Sequence, residues 1–511
     1  MRYTRRVKGT LAAVLAVASS VSGCVQRLDR KVGTTIHTVD DKAPFLKVHL
    51  ADGRLYVLSD WHADETTKHV TGTGDLFTAD REVETSGSFS IAMADVAMYE
   101  TNTIENSPGI AALAVVTGIS TAVTAYCATN PKSCFGSCPT FYAPADRDGR
   151  LVLQAEGFSD SIAPSLERND IDALWQTTGH GGKTTLVMTN EAYETHVVKQ
   201  VDLLAVPRPA KGRVLATADR LWLASSIAAP TGCTSETGPC LDTLAAIDGH
   251  ERLSTTDGKD LAARETIDLA FPHGEQGPRA IVIAARQSLV TTFLLYQGLA
   301  YLGSEATHWL AALGAHDTDA RAGGRALQRL VGGIEVQVQD GDTWRTIGEV
   351  YETGPIATDV HLVPLPGGAT SDRIRLVVQR GGWRIDAVEL ATITGEAHPI
   401  RIAPSHIRGT LGREYAAART PMSQLPIITM PGDRYELDYV LPPGDNYELF
   451  LDSRGYYLEW MRDEWLGDEN PLKALRLVSS PDQMLRELAP AYKRIEPEIE
   501  QIFWRSRYAR P

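Results

Sequence analysis

The chain has 511 residues, of which 43% are hydrophobic and 22% charged, the composition of a globular protein with room for two to four domains and real cores. Its formal net charge of −14 becomes −18 once the four basic residues of the N-terminal segment are removed with it. A balance this acidic excludes a general nucleic-acid binder and adhesion of the bulk of the protein to an anionic lipid surface.

Arg2, Arg5, Arg6 and Lys8 form a positive head, residues 11–21 a short apolar run, and Val21-Ser22-Gly23 leads into Cys24. This is the pattern of a lipoprotein export signal over residues 1–23, in which the Cys24 thiol takes a diacylglycerol and acyl chains such as palmitate complete the anchor. Ser19, Ser20 and Ser22 interrupt the apolar run, leaving it short of the roughly 20 apolar residues of a membrane span. Several lipid chains suffice for stable attachment. Val25 rather than Asp follows the cysteine, so the expected location is the cell envelope, at the outer membrane or cell surface rather than the inner membrane.

After a linker over residues 24–40, residues 41–104 alternate in the manner of short antiparallel strands. Two strands flank Asp52-Gly53, a strong hairpin signal, and Gly72, Gly74 and Gly87 punctuate those that follow. The spacing predicts a small, bent β-barrel of SH3 or Sm type. Residues 105–137 hold an apolar helix and a cysteine-rich loop. The uncharged run 109–126 would make a helix about 27 Å long, near the roughly 30 Å of bilayer hydrocarbon. Its small residues leave three readings open: a helix buried in the core, one inserted in a membrane, or one packed against another copy.

Residues 138–250 read as a β-rich sandwich region with a hairpin expected at Asp148-Gly149. Here Cys138-Pro139-x-x-Tyr142, Asp148-Gly149, Glu156-Gly157, Leu166-Glu167-Arg168-x-Asp170-x-Asp172-x-Leu174 and Glu194-Thr195-His196 follow one another. Near the C-terminus come Arg454-Gly455-Tyr456-Tyr457-Leu458-Glu459-Trp460-Met461-Arg462 and Phe503-Trp504-x-Ser506-Arg507-Tyr508. Together these motifs resemble an uncharacterised family of bacterial envelope lipoproteins and secreted proteins. The resemblance spans most of the mature chain and implies export, without implying a reaction or a ligand.

Residues 265–330 have helical spacing and predict a helical insertion, in which Arg286 and Gln287 argue for burial in protein rather than lipid. Residues 331–450 return to strands as a second β-sandwich region, and residues 451–511 form a C-terminal helical segment clamped by Trp460, Trp465, Phe503 and Trp504. The fold class expected is therefore mainly β (α+β), a small β-barrel plus β-sandwich regions with inserted and C-terminal helices.

Export puts the remaining cysteines in an oxidising compartment. Cys233 and Cys240 bracket a Gly, Thr and Pro-rich turn and are expected to form a disulfide. Cys127, Cys134 and Cys138 form an odd set, read either as one disulfide plus a buried thiol or as a metal or redox site, although their spacing matches no zinc or iron–sulfur pattern. The acids Asp146, Asp148, Glu167, Asp170 and Asp172 are the candidate metal ligands, because calcium takes six to eight oxygen ligands; a solvated turn explains them as well, and no cofactor is otherwise expected. Glu194 and His196 point to one face of a strand and are the acid/base candidates, with Glu156 and Glu191 nearby in sequence. Glu349, Glu352 and Asp359 offer a carboxylate pair of glycosidase type. Trp344, Tyr351 and Trp383 are candidates for stacking on sugar rings.

Serine-nucleophile elbows, HExxH, phosphate loops and Rossmann glycines are all missing from the sequence. The expected role is accordingly non-catalytic: a lipid-anchored protein that binds a protein or glycan partner or contributes structure to the envelope. A carboxylate-dependent carbohydrate-active or other hydrolase is the alternative.

Overall fold

The computed structural model describes residues 26–79, 83–106, 138–146, 148–159, 161, 164, 167–217, 220–272, 277–302, 332–351, 354–366, 371–409, 414–415, 426–444, 446–460 and 470–505. Cys24, Cys127, Cys134, Glu352, Trp465 and the apolar run 109–126 lie outside the described residues. The chain divides into two units, a smaller one of residues 1–49, 55–77 and 83–126 and a larger one holding the rest.

The smaller unit is one six-stranded sheet, built from β1 (Gln26–Gly33), β2 (Phe45–Leu50), β3 (Leu55–Asp64), β4 (His69–Phe77), β5 (Val83–Ala92) and β6 (Val96–Asn106). Alternation drives most of it: Leu46, Leu58, Val70, Leu76 and Ile91 are buried between more exposed neighbours, while at the ends of β2 and within β6 consecutive residues such as Val48-His49 and Met98-Tyr99 are buried together. The order β1-β6-β2-β3-β4-β5 leaves β1 and β5 at opposite edges, and the chain as a whole has the expected mainly β class, with several antiparallel sheets, one curled half-barrel and few helices. The expected boundary omitted β1, which pairs along all eight of its residues with β6. Residues 83–86 of β5 are exposed, so that edge has little apolar surface with which to close on a partner.

The larger unit stacks four antiparallel sheets. In the first, β7 (Thr140–Pro144), β8 (Leu151–Glu156), β10 (Gly182–Thr189), β24 (His406–Gly409), β25 (Glu414–Tyr415) and β27 (Arg434–Leu441) run in the order β25-β24-β27-β10-β7-β8. In the second, β9 (Arg168–Gly179), β11 (Glu194–Pro207), β23 (Ile400–Ile402) and β28 (Tyr447–Glu459) run β23-β11-β28-β9, with β26 (Ile427–Thr429) also on β11. The third holds β12 (Arg213–Ala216), β13 (Leu221–Ala228), β17 (Arg279–Gln287), β20 (Asp359–Pro364) and β22 (Trp383–Ala397) as β12-β13-β22-β17-β20. The fourth orders β14 (Gly232–Ser235), β15 (Gly238–Pro239), β16 (Arg264–Ala270), β18 (Ile334–Asp340), β19 (Thr343–Val350) and β21 (Arg373–Gln379) as β15-β14-β16-β21-β18-β19.

Apolar layers glue the stack. Ala280, Val282 and Ala284 on one face of β17 pack with Leu204, Val206 and Phe450 of the second sheet. On its other face Ile281, Ile283 and Ala285 pack with Ile267, Val336 and Leu376 of the fourth. The first and second sheets meet through buried Tyr439, whose hydroxyl donates to the Val201 carbonyl at 2.8 Å. At Gly157, just after β8, the layers come so close that a Cβ would stand 2.8 Å from the Phe141 ring and 2.9 Å from Ser453 Oγ.

The helices α1 (Leu241–Leu244), α2 (Leu289–Leu302), α3 (Pro471–Ser479) and α4 (Pro481–Arg505) complete the unit. Asn470 caps α3, its side chain accepting from the Lys473 N–H at 3.0 Å with Pro471 following. α2 meets α4 through the Phe293 and Tyr492 rings, 5.2 Å apart. Among the described residues no helix is long and apolar enough to cross a membrane.

Three segments read as helical are strands. Arg264–Ala270, at the head of the expected insertion, is β16, with burial alternating at the strand period. Arg279–Gln287 is the central strand β17, buried at every position, so the alternation that marks a half-exposed strand is erased and only a continuous apolar run remains; the helix begins at Leu289. Residues 451–459, the head of the expected C-terminal helical segment, belong to β28, held extended by their ladders to β9 and β11.

Candidate functional site

The five acids considered as metal ligands are engaged separately. Asp146 accepts from the Thr178 N–H at 2.7 Å and hydroxyl at 2.6 Å. Asp148 pairs with Arg150 at 2.7 Å, and Glu167 with Lys199 at 2.5 Å and Arg454 at 2.6 Å. Asp170 accepts from the Phe158 N–H at 2.8 Å. Asp172 is buried with its Oδ2 lacking a partner among the described residues. Among the described residues no group of three or more His, Cys, Asp or Glu is placed to hold a metal ion.

Asp172 instead joins acids from the other candidate sets. Glu156 ends β8 in the first sheet, Asp172 lies on β9 in the second, and Asp359 opens β20 in the third. Glu156 Oε2 accepts from the Ile356 N–H at 2.8 Å, with the Ala357 N–H and the Cys138 side chain beside the same carboxyl. Gly354, at φ +81°, lies so close that a Cβ there would be 2.5 Å from Glu156 Oε2. Burial pushes the Glu156 pKa up to about 7 against these donors and the nearby Arg286 guanidinium. That guanidinium is already bound to Glu251 at 2.5 and 2.7 Å and to the Pro355 carbonyl at 2.6 Å. Asp172 is held well above the usual carboxylate range by burial and then by Asp170, Asp359 and Glu156. Asp359 Oδ1 accepts from the Val360 N–H at 2.7 Å, with His361 Nε2 3.3 Å from its other oxygen. Glu156 and Asp172 thus meet in a buried seam where burial biases both carboxyl groups toward the protonated form.

The acid/base pair forms, but inside the protein. His196 Nε2 and Glu194 Oε1 are 2.8 Å apart with both side chains fully buried. Beside them Asn190 Nδ2 donates to the Glu194 and Thr429 carbonyls, and Trp460 Nε1 donates to Thr195 Oγ1 at 2.9 Å. Glu191 accepts from the Tyr142 hydroxyl at 2.7 Å. This polar network joins β11, β26 and the end of β28 and offers no open face to a substrate.

The stacking candidates separate. Trp383 is core, its Nε1 donating to the Gly332 carbonyl at 3.0 Å. Trp344 lies on the edge strand β19 with the Arg375 guanidinium 4.2 Å over its ring, and Arg375 is forked onto Asp268 at 2.6 and 2.9 Å. Tyr351 is 47% exposed. The Cys233–Cys240 disulfide is present, with Cα atoms 5.1 Å apart, and ties β14 to the start of α1. Cys138 is buried, its Sγ 3.6 Å from the Ser159 carbonyl.

Sequence reasoning missed a charge centre in the smaller unit. Buried Glu100 accepts from Arg30 Nε at 3.2 Å, Lys47 Nζ at 3.4 Å, His49 Nε2 at 2.8 Å and Asn102 Nδ2 at 2.9 Å. The cations lie 51 to 70 residues from the acid, so no local pattern announces them.

No family model and no curated protein matches the chain. Among solved structures, the crystal structure of BuGH86wt in complex with neoagarooctaose is 8% identical, with a TM-score of 0.14 over 42% of this chain; the match spans about a third (32%) of that chain. The secreted serine protease VesC from Vibrio cholerae is 10% identical, with a TM-score of 0.13 over 70% of this chain and 97% of that one. Overlaps this slight carry no argument about function.

Proposed function

We propose that the chain is a lipid-anchored envelope protein, held through Cys24 at the outer membrane or cell surface, with a non-catalytic role: it binds a protein or glycan partner or contributes structure to an assembly. One observation carries this reading. The side chains with chemistry for catalysis, Glu194, His196, Glu156 and Asp172, are buried between sheets, whereas the exposed Tyr351 and the Trp344–Arg375–Asp268 array stand on the fourth sheet and its edge. Surfaces of that kind suit recognition.

The test is capture of partners from detergent-solubilised envelopes with the tagged, lipidated protein, alongside a glycan array probed with Cys24→Ser protein lacking its signal. A stoichiometric envelope protein, or a glycan signal that falls when Tyr351 or Trp344 becomes Ala, supports the reading. Recovery of the protein alone with a silent array overturns it. Cys24→Ser protein that still sediments with membranes overturns the lipid anchor. The hydrolase alternative draws on Glu156, whose carboxyl titrates near neutrality as a general acid requires; polysaccharide turnover abolished by Glu156→Gln would favour it.

A further inference from the structure

Cys24 stands two residues before Gln26, and Gln26 is already paired in the sheet of the smaller unit, opposite Asn106. From there β1 runs in unbroken register with β6 to Gly33 opposite Tyr99, so all eight of its residues belong to the sheet and none is spare chain. Two Cα steps of about 3.8 Å each keep Gln26 within about 8 Å of Cys24. The interfacial layer of a bilayer is itself roughly 5–7 Å deep on each side of the hydrocarbon. A flexible tether of about a dozen residues, by contrast, spans roughly 20 Å. Although β1 is an edge strand, it is pinned by more than its backbone ladder. The Arg30 side chain, 2% exposed, donates through Nε to Glu100 at 3.2 Å and to Asn102 at 3.3 Å, both on β6. Peeling β1 away to lengthen the link would strand that guanidinium's buried acid partner.

We infer that the smaller unit is set directly on a lipid surface: the end of its sheet formed by Gln26 and Asn106 lies at the headgroup layer, held there by the shortness of the link to Cys24. This rests on the lipid anchor proposed above. The contact does not depend on charge, since Arg30 is engaged by Glu100, and Lys31 Nζ lies 3.7 Å from Asp40. Tether length alone fixes it. The smaller unit therefore does not swing through the aqueous space on a leash, and whatever it recognises meets it beside the membrane plane.

The test is energy transfer on the full lipidated chain in vesicles of phosphatidylethanolamine and phosphatidylglycerol. The donor is a dye on a non-natural amino acid at half-exposed Thr103, which lies opposite Asp29, and the acceptor is on the lipid headgroups. A second chain carries a flexible Gly/Ser insert of about twelve residues between Val25 and Gln26, adding up to roughly 20 Å. Transfer in the natural chain is expected to be the same at low and high salt, and to fall to about half or less with the insert. Equal transfer with and without the insert overturns the inference, because adhesion rather than tether length would then hold the unit down. Amide exchange on the vesicle-bound natural chain needs no variant. The hydrogen-bonded amides of β1 are expected to be as protected as their partners in β6; free exchange along β1 means that the strand has unzipped into a tether, and overturns the inference. A natural chain that washes off the vesicles as readily as Cys24→Ser protein defeats the lipid anchor and this inference with it, whereas a retained chain that fails the transfer or exchange test defeats this inference alone.

Discussion

Replacing Glu100 with Gln keeps the shape of the side chain and removes its charge from the centre of the smaller unit. Burial by itself would raise the carboxyl pKa, but Lys47, then Arg30 and His49, outweigh it and hold the group well below its ordinary value. The side chains of Arg30 and His49 are each 2% exposed, and Lys47 reaches solvent at 16%. In Glu100→Gln the first two remain buried beside a neutral amide. Removing one partner of a buried ion pair costs about 3–5 kcal/mol. At about 1.4 kcal/mol per factor of ten, that is a loss of roughly 10²- to 10³-fold in amide protection across β2 and β6. Hydrogen exchange read by mass spectrometry resolves these strands, with β22 of the larger unit as the internal control. Combining Glu100→Leu with Arg30→Met and His49→Leu should restore most of the protection, because apolar side chains of similar volume leave no stranded charge. Since the native pKa is lowered, the stabilisation from Glu100 is present above its ordinary value of 4.5 and lost as the pH falls toward the native value. A loss of protection below about tenfold, or an equal loss in β22, would refute the account of this centre.

Glu156 behaves with the opposite sign. Its pKa rises from 4.5 to about 7 on folding, so stability is fully present below the unfolded value and lost as the pH rises to the folded one, by about 3 kcal/mol in all. Urea unfolding at a series of pH values should show that slope in the natural protein and a flatter curve in Glu156→Gln; identical slopes would count against it. Gly157→Ala forces a Cβ against the Phe141 ring and Ser453, and overpacking of this kind should cost about 1–3 kcal/mol in chemical unfolding; an unchanged midpoint would show that the layers yield freely. Changing Cys233 and Cys240 to Ser opens a loop of sequence separation 7 and should cost about 2–3 kcal/mol on the chain-entropy estimate, read as a lower melting temperature under non-reducing conditions. Equal melting temperatures would mean that β14 and β16 hold this corner without the bridge.

What the sequence disclosed was what local chemistry governs. The turns at Asp52-Gly53 and Asp148-Gly149 stand where Gly53 and Gly149 adopt φ of +87° and +69°, and the Cys233–Cys240 bridge spans a turn short enough to be read directly. β17 and β28 escaped because layers cover both of their faces, and burial on two sides removes the alternation by which a strand is recognised. The acidic seam escaped for a different reason. Glu156, Asp172 and Asp359 were each singled out, but in three separate sets, since only sheet topology joins positions 156 and 359. Glu194 and His196 were correctly placed on one face of a strand; which face was buried depends on β26 and β28, more than two hundred residues away.

The pairing of β28 with both β9 and β11 also dictates when the larger unit can mature. β28 holds thirteen residues, and it supplies the ladder between two strands whose paired residues lie between 240 (Pro207↔Tyr447) and 287 (Arg168↔Gly455) positions earlier. During synthesis from the N-terminus, β9 and β11 therefore wait, with apolar flanks and open edges, until almost the whole chain has emerged. Contacts this distant in sequence close slowly, and exposed edges meanwhile invite misassociation and proteolysis. Truncation anywhere before residue 447 removes the strand that joins β9 to β11.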